Sequence, residues 1–208
     1  MQIAVLANEV NKEDFQKKKL SANIQVSFAE TLSDFSNQNN FDAYFILDEA
    51  VAIDNHEFFN NKPTFVNSVV KTLEERTLPE NFSRINAWPT FLHLEIWEVA
   101  TKNENKVRTV FDEMEWKYIT VADEPGLVSA RIIAMIINEA YFALDDDISS
   151  KEEIDIAMKL GTNYPYGPFE WAKKIGLNKI YGLLEKLSKT ESRYNISSAL
   201  KNELTTNI

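Results

Sequence analysis

DEPGLVSARIIAMIINEAYFAL, residues 123–144, divides this chain in two. Pro125 and Gly126 make a turn, and the residues that follow keep a helical spacing of apolar positions to residue 144. The pattern is apolar on more than one face, as expected of a helix that is buried or paired. On its N-terminal side, short apolar runs alternate with polar and helix-forming segments. On its C-terminal side no strand pattern occurs.

Working outward toward the N-terminus, residues 3–6, 24–29, 42–47, 63–70 and 118–121 read as strands, being short apolar or alternating runs between polar segments. Residues 84–91 lead into 94–99 as a strand pair or one bent strand. Residues 12–20 form a short helix or loop, 32–35 look helical, and 72–76 hold helix formers that Pro79 ends. In 104–115, Val107, Val110, Phe111 and Met114 fall on one helical face. Strands interleaved with helices imply an α/β domain with a mainly parallel sheet.

Working outward toward the C-terminus, 145–150 is a polar break. Ser149 and Ser150 followed by Glu152 and Glu153 make an N-cap with an acidic first turn. The helix 151–160 is expected to close on Gly161 at its C′ position. Residues 162–168 are a turn, Pro168 opens a helix over 169–175, and Gly176 stops it. Two further helices cover 180–188 and 197–203. The organisation is α/β over 1–121 followed by all-α over 122–208.

Composition removes several classes of function. The 208 residues are 44% hydrophobic, enough for a sizeable core. There is no cysteine, which excludes disulfides, thiolate metal sites and cysteine nucleophiles. His56 and His93 are the two histidines, so no metal site is expected. A net charge of −10 disfavours nucleic acid and anionic membranes as partners. The N-terminus lacks a signal-peptide pattern and no apolar run could span a bilayer, so a cytoplasmic location is expected. None of the five glycines precedes Gly126, so the α/β part must turn on Asn, Asp, Ser and Pro.

Two stretches then carry a resemblance. The turn and helix at 123–144 are followed by SSKEEIDIAMKLGTNYPYGPFEWAKKIGL at 149–177. The runs A-M-K-L-G and Y-P-Y-G-P-F-E make 123–187 resemble the helical domain of the 3-hydroxyacyl-CoA dehydrogenases. A weaker likeness reaches back to about residue 63. The resemblance implies a Rossmann-like domain, truncated here, followed by a helical dimerisation domain of the 6-phosphogluconate-dehydrogenase C-terminal type. It also implies NAD-dependent oxidation of 3-hydroxyacyl-CoA in fatty-acid metabolism, a homodimer, and an acyl-CoA or fatty acyl ligand in a groove walled partly by the helical domain. The dimer surface is expected on the helix at 126–144.

The family's catalytic His and Glu stand twelve residues apart in a strand reading H-F-F-N-P-x-P. Matching its Asn and second Pro to Asn86 and Pro89 puts the histidine position at Ser83 and the glutamate at Glu95. The substrate-side Asn of P-G-F-x-x-N-R falls at Ala130. Asn86 and Glu95 are thus retained, and Ser83 and Ala130 are substitutions. Serine does not titrate near neutral pH, and loss of a general base costs roughly 10²–10⁴-fold in rate. His93 and Glu95, two apart on a strand, would share a face and could pair, although a chance pair on an exposed face is the simpler reading. His56 reads as a surface residue, and the aromatics at 164, 166, 169 and 171 as core or interface.

Dinucleotide binding needs G-x-G-x-x-G/A after the first strand, so that the backbone can approach the pyrophosphate. LANEVN at 6–11 has no glycine, and Glu9 would repel phosphate. No cofactor is therefore expected. Three readings remain: a family member without NAD-dependent activity that keeps the dimerising domain and an acyl site; an active enzyme holding NAD unconventionally; and a structural subunit or regulator that pairs with a full-length paralogue.

Overall fold

The computed structural model describes residues 1–35, 40–49, 51, 53 and 55–206. Contacts divide the chain into Met1–Leu127 and Val128–Ile208.

The first unit is built on β1 (Gln2–Leu6), β2 (Gln25–Ala29), β3 (Ala43–Ile46), β4 (Thr64–Asn67), β5 (Phe82–Ile85), β6 (Ile96–Thr101) and β7 (Lys117–Thr120), with helices α1 (Glu9–Gln16) and α2 (Glu104–Met114). The strands form one sheet in the order β2-β1-β3-β4-β5-β6-β7. Every pairing is parallel except β5 with β6. A dinucleotide-binding sheet usually runs 3-2-1-4-5-6. The run β2-β1-β3-β4-β5 is that order without its outermost strand 3, and β6 and β7 extend the sheet at the other edge.

The central strands are buried on both faces, which is why they read as continuous apolar runs. Ile3, Val5, Phe45, Phe65 and Ile85 point to a layer that contains Phe15 of α1 and Val107, Val110, Phe111 and Met114 of α2. Ala4, Leu6, Tyr44, Ile46, Val66 and Phe82 point the other way. There, no α-helix covers them among the described residues of this unit. Short 3-10 turns at Leu32–Phe35 and His56–Phe59 bring rings instead. Phe35, Phe41, Tyr44, Phe58, Phe59 and Phe82 form a chain of mostly edge-on contacts with centroids 4.9–5.9 Å apart. Aromatic bulk thus replaces crossover helices.

The helix expected at 72–76 is a turn. The Glu75 carboxylate accepts from the Thr72 amide at 2.8 Å, the Leu73 amide donates to Asp123 at 2.9 Å, and Thr77 takes a left-handed φ of 53°. These carboxylates cap a single turn, in which the Arg76 amide donates to Thr72 O at 3.2 Å, and the left-handed Thr77 ends propagation. The glycine-free turns use Asn60, Asn61 and Thr90 at positive φ as well.

The second unit contains α3 (Ser129–Asp145), α4 (Lys151–Thr162), α5 (Pro168–Ile175), α6 (Leu177–Ser188) and α7 (Ser198–Thr206). α3 touches each of the other four. Asn138, buried in α3, donates to Asn195 O at 2.8 Å and accepts from the Ser197 amide at 3.1 Å. Further along the same helix, the Asp145 carboxylate accepts from the Ser198 and Ala199 amides at 2.9 and 2.8 Å, capping α7. α4 opens with the Ser150–Glu153 capping box. It does not close on Gly161, which lies within it; Asn163 at φ 58° is the left-handed residue. Asparagine tolerates that conformation well enough to serve. Among the described residues no helix is long and apolar enough to cross a membrane.

Candidate functional site

Open α/β sheets bind ligands in the crevice outside the carboxyl ends of their strands, where the strand order reverses. Here that point lies between β1 and β3. β1 ends at Leu6, and Asn8 caps α1 by accepting from the Asn11 amide at 3.0 Å. Glu9 occupies the first turn, with its side chain 70% exposed and 3.6 Å from Lys12. A pyrophosphate would meet this carboxylate and a helix start already capped by its own asparagine. Glu30, directly after β2, stands where an acidic residue usually meets the ribose. That single retained element does not offset the rest, and the residues present do not fit a dinucleotide.

Side chains close part of the edge next to it. Trp88 is fully buried, and its indole N–H donates to Glu49 at 3.3 Å. Asn67 bridges two strand ends, donating to Leu47 O at 3.0 Å and accepting from the Ala87 amide at 3.1 Å. Asn11 reaches across from α1 to Ala87 O at 2.7 Å. These bonds satisfy the backbone where a ligand would otherwise do so.

The antiparallel β5–β6 ladder tests the expected His–Glu positions. Ser83 is buried opposite Thr101, and their hydroxyls are 2.8 Å apart. Glu95 precedes β6, is 74% exposed, and pairs with Lys117 at 2.5 Å. A hydrogen bond from that ammonium holds the Glu95 carboxyl below its ordinary range. Ser83 and Glu95 are therefore not brought together. The register pairs Ser83 with Thr101 and Ile85 with Val99. Continued by one residue beyond β5, that register brings Asn86 to the level of Glu98, twelve residues on. Asn86 is buried and its side-chain oxygen accepts from the Trp88 amide at 3.1 Å; Glu98 is half-buried. The twelve-residue spacing thus finds its geometric pair further along the chain than the motif match suggested. Only the strand register discloses this.

His93 does not pair with Glu95 either. It sits in a turn, with Nδ1 3.1 Å from Asp14, which also holds Lys17 at 2.9 Å and the Thr90 amide at 3.2 Å. Nor is His56 a free surface residue: it is half-buried, its ring 5.4 Å edge-on from Phe82.

In the helical unit Ala130 is fully buried and offers no polar group. Much of the sequence signature here is a device for joining α4 to α5. Asp155 accepts from the Phe169 and Glu170 amides at 2.8 and 3.1 Å, capping α5 from the preceding helix. A Cβ on Gly167 would lie 2.2 Å from that carboxylate, so only glycine fits. Glu170 closes the arrangement by accepting from the Gly167 amide at 3.1 Å and from Lys159 at 2.5 Å, which holds its carboxyl below the usual range. Trp171 packs between Tyr164 and Tyr166 at 5.5 and 5.9 Å. A cavity of about 340 Å³ lies beside Tyr141, Phe169, Ala172 and Leu177. Lys151, ion-paired to Glu203, holds its ammonium 5.5 and 5.4 Å from the Tyr141 and Phe169 rings. Burial pushes the Tyr141 hydroxyl pKa up.

A mainly parallel sheet of the dinucleotide-binding kind followed by a helical bundle defines a two-domain dehydrogenase fold. The same fold is seen in the (S)-3-hydroxybutyryl-CoA dehydrogenase of Ralstonia eutropha, at TM-score 0.72 and 18% identity, covering 99% of this chain and 94% of that one. The family model for the 3-hydroxyacyl-CoA dehydrogenase C-terminal domain matches residues 126–206. The likeness to the 3-hydroxyacyl-CoA dehydrogenase family is thus carried in sequence by that domain. It is similar to Escherichia coli 3-hydroxyadipyl-CoA dehydrogenase at 46% identity over 85 residues, which are 40% of this chain and 18% of the relative. Against 3-hydroxybutyryl-CoA dehydrogenase of Clostridioides difficile the identity is 44% over 33% of this chain and 25% of the relative. The matched stretch thus spans a quarter or less of these two curated relatives.

Proposed function

We propose that this protein is a dimeric member of the 3-hydroxyacyl-CoA dehydrogenase family without NAD-dependent dehydrogenase activity, acting in fatty-acid metabolism in the cytoplasm by holding an acyl or acyl-CoA ligand. One observation carries the reading. The first strand-to-helix turn offers Asn8, capping its own helix, and the Glu9 carboxylate where a pyrophosphate needs glycine and free amides. The β5–β6 pair supports it: an asparagine amide does not accept a proton near neutral pH, so Asn86 beside Glu98 supplies no general base.

The dimer is assigned to α4 in preference to α3. α3 turns Ala130, Ile133, Ala134, Ile137 and Tyr141 inward. α4 has no buried residue, yet Ile156 and Leu160, one turn apart, are 52% and 83% exposed, with Ile148 just before it at 71%. An apolar stripe of that kind is expected to meet a partner. A second copy is the favoured one, and the same stripe would also accept the helical domain of a full-length paralogue. The cavity beside Tyr141 and Phe169 supports an acyl ligand, Lys151 and Lys173 against Glu203 leaving its lining the positive charge a CoA-type anion needs.

The purified protein should show no thermal shift with millimolar NAD, no oxidation of 3-hydroxybutyryl-CoA, and a dimer mass that Leu160→Glu reduces to a monomer. Clear turnover would sink the reading. A full-length dehydrogenase chain co-purifying in equal amount would replace the homodimer by the mixed pair.

A further inference from the structure

At the carboxyl ends of β3 and β4 lies a cavity of about 320 Å³, bounded by Glu49, Arg76 and residues 67–71. Its floor is fixed. The fully buried Arg84 lies beneath and donates to Ser68 O at 2.7 Å and Val69 O at 3.0 Å, while its charge is met by Asp123. The Ser68 hydroxyl donates to Lys71 O at 2.8 Å, which closes the loop on itself.

Two kinds of donor in this wall lack an acceptor. Val69 is fully buried, and neither its amide nor that of Val70 donates to any acceptor among the described residues. Buried backbone amides almost always have a partner. Arg76 is half-buried, and its guanidinium makes no hydrogen bond or ion pair among the described residues. Burial pulls the Arg76 guanidinium below its ordinary value, and the field of Glu49 opposes that shift. A desolvated cation and an unmet amide both cost free energy until an acceptor reaches them. Arg76 and Lys71 against Glu49 give the lining one net positive charge, 2 − 1 = +1, within a chain of net charge −10.

We propose that this cavity binds the carboxylate of a small organic acid, held by the Arg76 guanidinium and the Val69 and Val70 amides, with Lys71 at the rim. A planar carboxylate matches the fork of a guanidinium. The single net charge suits a monoanion, and Glu49 works against a phosphate dianion. The site depends on neither NAD nor the helical unit, so it stands or falls apart from the function proposed above.

The test is titration of the ¹⁵N-labelled full chain with sodium acetate against sodium chloride at constant ionic strength. Saturable shifts of the Val69 and Val70 amides are expected. Arg76→Gln should weaken acetate binding roughly tenfold to a hundredfold, the range for a hydrogen bond to a charged group. Glu49→Gln should tighten it and admit inorganic phosphate. Absence of saturable shifts, or undiminished affinity in a folded Arg76→Gln, overturns the site. If Arg76→Gln does not fold, unchanged acetate affinity in Glu49→Gln overturns it instead. Phosphate binding more tightly than acetate in the unsubstituted protein overturns the choice of carboxylate.

Discussion

The two units hold themselves together by different means. The helical unit relies on side chains that cap backbone: Asn138 on the segment before α7, Asp145 on α7, Asp155 on α5 and Ser150 on α4. Each task needs a specific residue type at a specific place, and this is the unit that the family model for the C-terminal domain matches, over residues 126–206. The α/β unit relies on rings and aliphatic side chains packed to volume, a task many sequences can perform. Its likeness to solved dehydrogenases over the whole chain is a likeness of fold, at 18% identity. Polar bonds fix the letters of a sequence, whereas packing fixes only their size and sidedness.

Substitutions can break that contrast. Phe15→Ala removes the ring that meets Phe28, Phe45, Trp97 and Trp116 at 5.2–6.3 Å and should cost about 3–5 kcal/mol in the α/β unit. Phe15→Leu should cost much less, and urea unfolding followed by tryptophan emission measures both. Asp123→Ala should also cost about 3–5 kcal/mol, because it strands the fully buried Arg84. Here the α/β unit behaves as the helical unit does. In the helical unit Asn138→Leu preserves volume but leaves Asn195 O and the Ser197 amide unmet, for about 1–3 kcal/mol. If Asn138→Leu were tolerated better than Phe15→Leu, the contrast between the units would fail.

The smallest effects concern pH, and both units gain stability as pH rises, each in its own range. Hydrogen bonds hold the Glu153 and Glu170 carboxyls below their ordinary 4.5. Their contribution to the helical unit is present above that value and is lost as pH falls through the lower folded pKa. Burial brings Lys18 down from 10.5 to about 8, although its ammonium lies 4.5 Å from the Trp116 ring centroid. Between those two values the unfolded chain binds more protons at Lys18, so this group makes the α/β unit more stable as pH rises. Lys18→Met should flatten that slope, as followed by thermal unfolding across the range.

Much of the fold is legible in the sequence because the signals are local. The all-apolar IAVL of β1 and the alternating QVSFA of β2 show strands, and Ser150 with Glu153 marks a helix start. The failures share one cause, a partner far along the chain. Residues 72–76 hold helix formers, but they make one turn only, anchored at its start to Asp123, fifty positions away, and ended by the left-handed Thr77. The candidate site fails likewise. Ser83 and Glu95 satisfy a spacing, and Asn86 with Glu98 satisfies both the spacing and the continued register. Unmet donors such as the Val69 amide carry no signal in a string of letters.

The order of the strands also bears on how the chain is made. β1, β2 and β3 are neighbours in the sheet and all lie within the first 46 residues, so a three-stranded core can assemble while synthesis continues. Phe15, however, waits for Trp97 and Trp116. Until about a hundred more residues have emerged, that ring has only Phe28 and Phe45 against it on the nascent chain, and this is the interval in which a chaperone has most to protect.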